Sequence, residues 1–202
     1  MTLQTPQPPP SALRAVLAAL DSEAALRRPA AAALRHAEGP LLPAHPLAVH
    51  VLSGRGAELY TAPRTGWRFL IQPGPATGLA HPAPAAAAVA AAEVIETPDG
   101  HAFSHFTAGP YLDSTVRALR QAWQLTQAAR SRHLPRLLTM PGHYATALWL
   151  HHPEPGPATD LLIPLAPAPL GVTAHRVYPA AELLALLERA LTPAPLALGL
   201  SS

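Results

Sequence analysis

The chain has 202 residues, 49% of them hydrophobic and 13% charged, so it has ample apolar surface for a sizeable core. Its formal net charge of +2 at pH 7 is too small to indicate a polyanionic partner by itself. The absence of cysteine excludes disulfides, thiolate catalysis and cysteine-ligated metal or iron–sulfur sites. The length predicts a single domain over residues 11–202, and the proline-rich start of the chain predicts a flexible lead-in over residues 1–10.

The composition also suggests a source and a compartment. All 14 basic residues are arginine, and the chain is rich in alanine, proline and leucine, as in proteins from GC-rich bacterial genomes. Residues 1–10 carry no basic side chain, and Arg14 interrupts the following apolar stretch, which is not typical of a secretory signal. No apolar run reaches the roughly 18 residues of a membrane span. We expect a cytoplasmic bacterial protein with no membrane partner.

The first part of the chain is predicted to be helical. Leu13, Val16, Leu17 and Leu20 recur at helical spacing after Ser11, a residue that favours a helix N-terminus. A proline at position 29 permits a new helical segment, which a glycine at position 39 is expected to end.

Five strand segments and their turns are predicted next. An apolar run at residues 47–52, a turn at 53–56, an alternating segment at 58–61 and a third run with Trp67, Phe69 and Ile71 on one face indicate an antiparallel meander. Residues 73–92 are rich in proline and alanine and are compatible with a long loop or a short helix. The Asp99-Gly100 pair then predicts a tight hairpin between strands at 92–97 and 101–107.

The remaining elements complete an α+β fold. A long central helix is predicted over residues 114–131, with Trp123 on its apolar side. Residues 144–151 are apolar on both faces and indicate an interior strand, while Pro164 places residues 161–165 at a strand end or sheet edge. A last helix covers residues 179–191. The predicted architecture is an antiparallel sheet, made of a meander and a hairpin, packed by N-terminal helices, the central helix and the C-terminal helix.

The eleven histidines raise a metal hypothesis. His101 and His105 lie four residues apart on a predicted strand and hence on one face, and His151 ends the interior strand. If these strands were neighbours, the three imidazoles would converge and support a metal-dependent enzyme. Carboxylates at recognisable ligand spacing are missing, so isolated histidines at the surface or at strand ends are the favoured interpretation.

No catalytic or nucleotide-binding motif is present. The chain lacks G-x-S-x-G, S-x-x-K, G-x-x-x-x-G-K-[ST] and G-x-G-x-x-G, and Ser104 and His105 are strand neighbours that point to opposite faces. The sequence therefore favours a non-catalytic protein and predicts no cofactor.

A basic segment supports a second alternative, nucleic-acid binding. Between Asp113 and Glu154 no acidic residue interrupts a series of arginines, and the planar donor fork of arginine suits phosphate. The residues predicted to contact nucleic acid are Arg117, Arg120, Gln124, Arg130, Arg132 and Arg136. An ordinary solvated helix face explains the same pattern.

Association with a protein is the leading functional hypothesis. The three tryptophans are all predicted to pack in the core, and few charges remain to cover the sheet and its helices. We therefore expect the chain to bind a protein partner or to form a homo-oligomer, with residues 73–92 as the least charged surface segment.

Overall fold

The computed structural model describes residues 3–54, 56–74, 88–129, 132–153 and 159–191, and it confirms the α+β class. Along the sequence, three helices precede the first strand, one lies between the fourth and fifth strands, and one follows the last strand. They are α1 (Pro10–Leu20), α2 (Glu23–Leu26), α3 (Ala32–His36), α4 (Pro110–Ala129) and α5 (Ala180–Leu191). The strands are β1 (Leu41–Val51), β2 (Arg64–Pro73), β3 (Ala90–Thr97), β4 (Gly100–Thr107), β5 (Leu134–Met140), β6 (Ala145–His151), β7 (Leu161–Pro164) and β8 (Tyr178–Pro179).

All eight strands form one sheet, in the order β4-β3-β2-β1-β5-β6-β7-β8. Every neighbouring pair is antiparallel except β1 and β5, whose parallel register pairs Ala48 with Arg136. The antiparallel pairing of the predicted run at residues 47–52 with the run at Trp67 and the Asp99-Gly100 hairpin are confirmed, and Gly100 has the positive φ (126°) that the turn requires.

The structure corrects three local predictions. Residues 58–61 are not a strand, because Leu59–Thr61 forms a 3-10 turn in which Thr61 Oγ1 donates to the Glu58 carbonyl at 2.7 Å. Strand β5 was not predicted, and it makes the sheet mixed. Trp123 is not in the core but 49% exposed on α4. The choice between loop and helix at residues 73–92 falls mostly outside the described residues, although Ala90–Thr97 is strand.

Each face of the sheet has its own core. The back face, which carries Leu70, Leu137 and Leu148, packs against α4. The front face carries two separate clusters. One joins α1–α3 to β2 and β3 around Phe69, and the other joins α5 to β5, β6 and β7 around Trp149. Between the two front clusters, the helices do not cover part of β1 and the beginning of β5.

The described part of the lead-in supplies that cover. Gln4 N donates to the carbonyl of His133 at 3.1 Å, Pro6 is buried, and Leu3 packs against the back-face core. The segment then enters α1 at Pro10. Within the described ranges, no helix has the length and apolar character needed to cross a bilayer.

Candidate functional site

The front face contains a cavity of about 600 Å³ between the two helix-covered halves of the sheet. Its floor is formed by β2, β1 and β5, and its wall by the lead-in. The lining residues are Gln4, Thr5, Pro6, Gln7, Ala48, His50, Arg64, Trp67, Leu134, Pro135 and Arg136. The cavity therefore has a mixed floor of apolar and cationic side chains.

Arg136 is the cation on the β5 side of the cavity. Alternation along β5 places it on the front face with Leu138, while Leu137 joins the back-face core. Its guanidinium carbon lies 4.8 Å from the ring centroid of Trp149, a cation–π contact. Burial lowers the pKa of Arg136, and the negative charge of Asp160 opposes that shift, but an arginine remains protonated near neutral pH.

A buried carboxylate holds the tryptophan under Arg136. Asp160 is fully buried, and its Oδ2 accepts hydrogen bonds from Trp149 Nε1 at 2.6 Å and from His151 Nδ1 at 3.1 Å. Its Oδ1 accepts a third from the backbone N–H of His152 at 2.8 Å. These bonds compensate the burial of the charge and fix the orientation of the indole.

Arg64 is the cation on the β2 side. It forms an ion pair with Glu96 of β3, and its guanidinium carbon lies 5.6 Å from the ring centroid of Trp67. Trp67 also lines the cavity, and its buried Nε1–H has no hydrogen-bond partner among the described residues. Both arginines are thus supported by a tryptophan ring.

His50 lies on β1, the strand between those that carry the two arginines. Its Nδ1 is 3.0 Å from the carbonyl oxygen of Ala62, which only accepts, so Nδ1 carries the proton. Burial lowers the pKa of His50, and Arg136 and Arg64 lower it further against the opposing effect of the Ala62 carbonyl. In the neutral ring Nε2 is unprotonated and is therefore a hydrogen-bond acceptor.

The structure does not gather the residues predicted to bind nucleic acid. Arg117, Arg120 and Gln124 are exposed on α4, on the back of the sheet, whereas Arg136 is on the front. Arg132 is exposed before β5, and Arg130 lies outside the described residues. Of the members that the structure describes, only Arg136 lines the cavity.

The three histidines of the metal hypothesis do not converge either. Four strands separate β4 from β6, so His151 is remote from the other two. Because of a register shift between β3 and β4, His101 pairs with Glu96 and His105 pairs with Glu93. Glu93 and Glu96 are three residues apart on β3 and point to opposite faces, so His101 and His105 do as well.

Each front-face histidine instead has a local partner: His101 bonds Ser11 at 2.8 Å, and His151 bonds Asp160. The described ranges contain no group of three or more His, Cys, Asp or Glu side chains placed to hold a metal ion. The sequence predictions named neither His50, Arg64 nor Asp160 as site residues.

Neither models of protein families nor comparisons with characterised proteins and solved structures give a match to this chain. The geometry of the front cavity is therefore the basis on which a function is proposed.

Proposed function

We propose that this chain is a non-catalytic binding domain that holds a small anionic molecule in the front cavity. The observation that carries the proposal is Arg136. Its guanidinium is half-buried, lies over Trp149 and borders the cavity, and no carboxylate of the described residues is within ion-pair distance of it. A charge withdrawn from water in this way is stabilised when an anion reaches it.

The arrangement of the floor fits an anion with several acceptor oxygens. Arg64 and Arg136 flank β1, and because adjacent strands are ~4.8 Å apart their backbones are roughly 10 Å apart. Each planar guanidinium presents a fork of donors that matches carboxylate and phosphate. The volume of about 600 Å³ lies within the usual range for small-molecule sites, about 300–1,000 Å³.

Asp160 supports this site as a positioning residue. It does not line the cavity, but its bond to Trp149 Nε1 holds the ring on which Arg136 lies. A guanidinium that is already oriented loses less conformational entropy when it binds an anion than a free arginine does. Asp160 and Trp149 therefore favour affinity by orienting Arg136, without contacting the ligand themselves.

Isothermal titration calorimetry with phenyl phosphate and benzoate tests the proposal. We expect saturable binding of at least one of these anions, and we expect Arg136→Gln to weaken it by about tenfold or more, since a charge-assisted hydrogen bond contributes ~1.5–3 kcal/mol. Arg120→Gln is the matched control, because Arg120 is an exposed arginine on the opposite side of the sheet. Absence of saturable binding, or equal affinities in the two variants, would refute the proposal.

Binding of a protein partner or a second copy of the chain is the other candidate function. The observation that favours it is Trp123, a large aromatic side chain that is 49% exposed on α4. Tryptophan is enriched among the residues that dominate protein interfaces. This candidate uses the back of the molecule and is independent of the front cavity.

A further inference from the structure

We infer that the anion held in the front cavity is a phosphate monoester, recognised through a proton shared between its phosphate group and Nε2 of His50. This inference rests on the proposed anion-binding function and names the class of its ligand. It follows from the balance of hydrogen-bond donors and acceptors around the cavity.

Most of the polar groups in the cavity floor donate hydrogen bonds. Arg64 and Arg136 are donors only. His50 differs, because the Ala62 carbonyl engages Nδ1–H and leaves Nε2 as an acceptor. A complementary ligand therefore offers several acceptor oxygens and one O–H donor.

Only some anions meet that requirement near neutral pH. A carboxylate, a sulfate ester or a phosphodiester is fully ionised and offers acceptors alone, so an oxygen opposite Nε2 would face a lone pair. A phosphate monoester has its second ionisation near pH 6 and supplies the missing proton. The internal phosphates of nucleic acids are diesters, so they do not fit this site.

The surrounding charges determine where the proton resides. Arg136 on β5, Arg64 on β2 and His151 on β6 face His50, and each of them disfavours protonation of the His50 ring. A bound phosphate dianion reverses that balance, because it lies among the same cations. Whether the proton stays on phosphate oxygen or moves to Nε2, the complex contains one proton between the two groups.

Calorimetric titration with phenyl phosphate and phenyl sulfate, which have the same ring and nearly the same shape, tests the inference. We expect the wild-type chain at pH 6.5 to bind phenyl phosphate about tenfold more tightly, as one charge-assisted hydrogen bond predicts. From pH 7 to pH 9 the affinity for phenyl phosphate should fall by up to about tenfold per pH unit, because the complex then takes its proton from solution.

His50→Asn is the informative variant, since its side-chain amide can still donate to the Ala62 carbonyl but has no counterpart of Nε2. It should bind both anions within about twofold of each other, and its affinity for phenyl phosphate should not fall with pH. If this variant does not fold, the test rests on proton uptake by the wild type. Proton uptake is measured at pH 8 by calorimetry in two buffers of different ionisation enthalpy, and we expect one proton to be taken up per phosphate bound.

The outcomes separate this inference from the proposed function. If both anions bind wild type equally, through Arg136 and without proton uptake, anion binding stands and the phosphate monoester is refuted. If phenyl phosphate retains its preference and pH trend in His50→Asn, His50 is not the proton acceptor and the inference fails. If wild type binds benzoate but neither of these two anions, anion binding stands and the phosphate monoester is refuted. If it binds none of the three, the anion-binding function itself fails.

Discussion

Replacing Asp160 by asparagine tests the support beneath the cavity. The carboxylate is fully buried and accepts from three donors: Trp149 Nε1, His151 Nδ1 and the His152 backbone N–H. Asparagine has one acceptor oxygen, so in either orientation its NH₂ group faces at least one of these donors. Lost charge-assisted bonds, at ~1.5–3 kcal/mol each, and a buried unpaired donor together predict a loss of about 3 kcal/mol in the free energy of unfolding.

Urea denaturation followed by far-UV circular dichroism measures this loss. Asp99→Asn is the control, because Asp99 is exposed in the hairpin turn and asparagine suits that position. Repeating Asp160→Asn in a Trp149→Phe background removes one of the three donors, and the cost of the substitution should then decrease by about 1 kcal/mol. A loss below ~1 kcal/mol in the wild-type background would show that the Asp160 hydrogen bonds do not stabilise this region.

Three further predictions concern other parts of the molecule. Gly66→Ala should destabilise the fold by ~3 kcal/mol or more in urea denaturation, because its Cβ would overlap the Val94 carbonyl, whereas Gly142→Ala, with open space around it, should cost little. If self-association uses α4, Trp123→Ser should convert an oligomer to a monomer in light scattering; a wild-type monomer would contradict it. Since burial lowers the pKa of folded His50, its contribution destabilises the fold as pH falls below about 6.5, so urea midpoints from pH 7.5 to 5 should fall less in His50→Asn than in wild type.

Local patterns predicted those elements whose signals are contained within a few residues. The Asp99-Gly100 pair determines the hairpin because its turn needs positive φ, and the recurrence of apolar residues identifies α4 and α5. Trp123 was misplaced because the helical wheel gives a side of the helix but not the width of the surface that the sheet covers. Ala122, beside it, is buried, while the indole extends past the edge of that contact.

Strand β5 escaped prediction because of Pro135. A proline lacks the N–H that a central strand requires, and its presence argues against one. In the structure the pairing of β5 with β1 begins only at Arg136, so the proline precedes that ladder. The parallel pairing of β5 with β1 also gives no local sequence signal, since four other elements lie between the two strands in sequence.

The same long-range pairing concealed the site. His50 and Arg136 are 86 positions apart and become neighbours only because β1 and β5 are adjacent in the sheet. The error for His101 and His105 has a different cause: alternation predicts one face for residues four apart, but the irregularity in β4 adds a residue and inverts the relation. Asp160 carried a weak signal, as a lone carboxylate directly before the buried strand Leu161–Pro164.

The position of the cavity follows from how the front face is covered. Helices α1–α3 pack over one half of the sheet and α5 over the other, so among the described residues the part of β1 and the beginning of β5 between them are covered by the lead-in. An apolar side chain at position 136 would close that gap with the neighbouring cores. Arginine there instead withdraws a charge from water, and the fold devotes Trp149 and the buried Asp160 to holding it. Such an arrangement lowers stability unless an anion compensates it, and residues kept at a cost to stability are characteristic of binding sites.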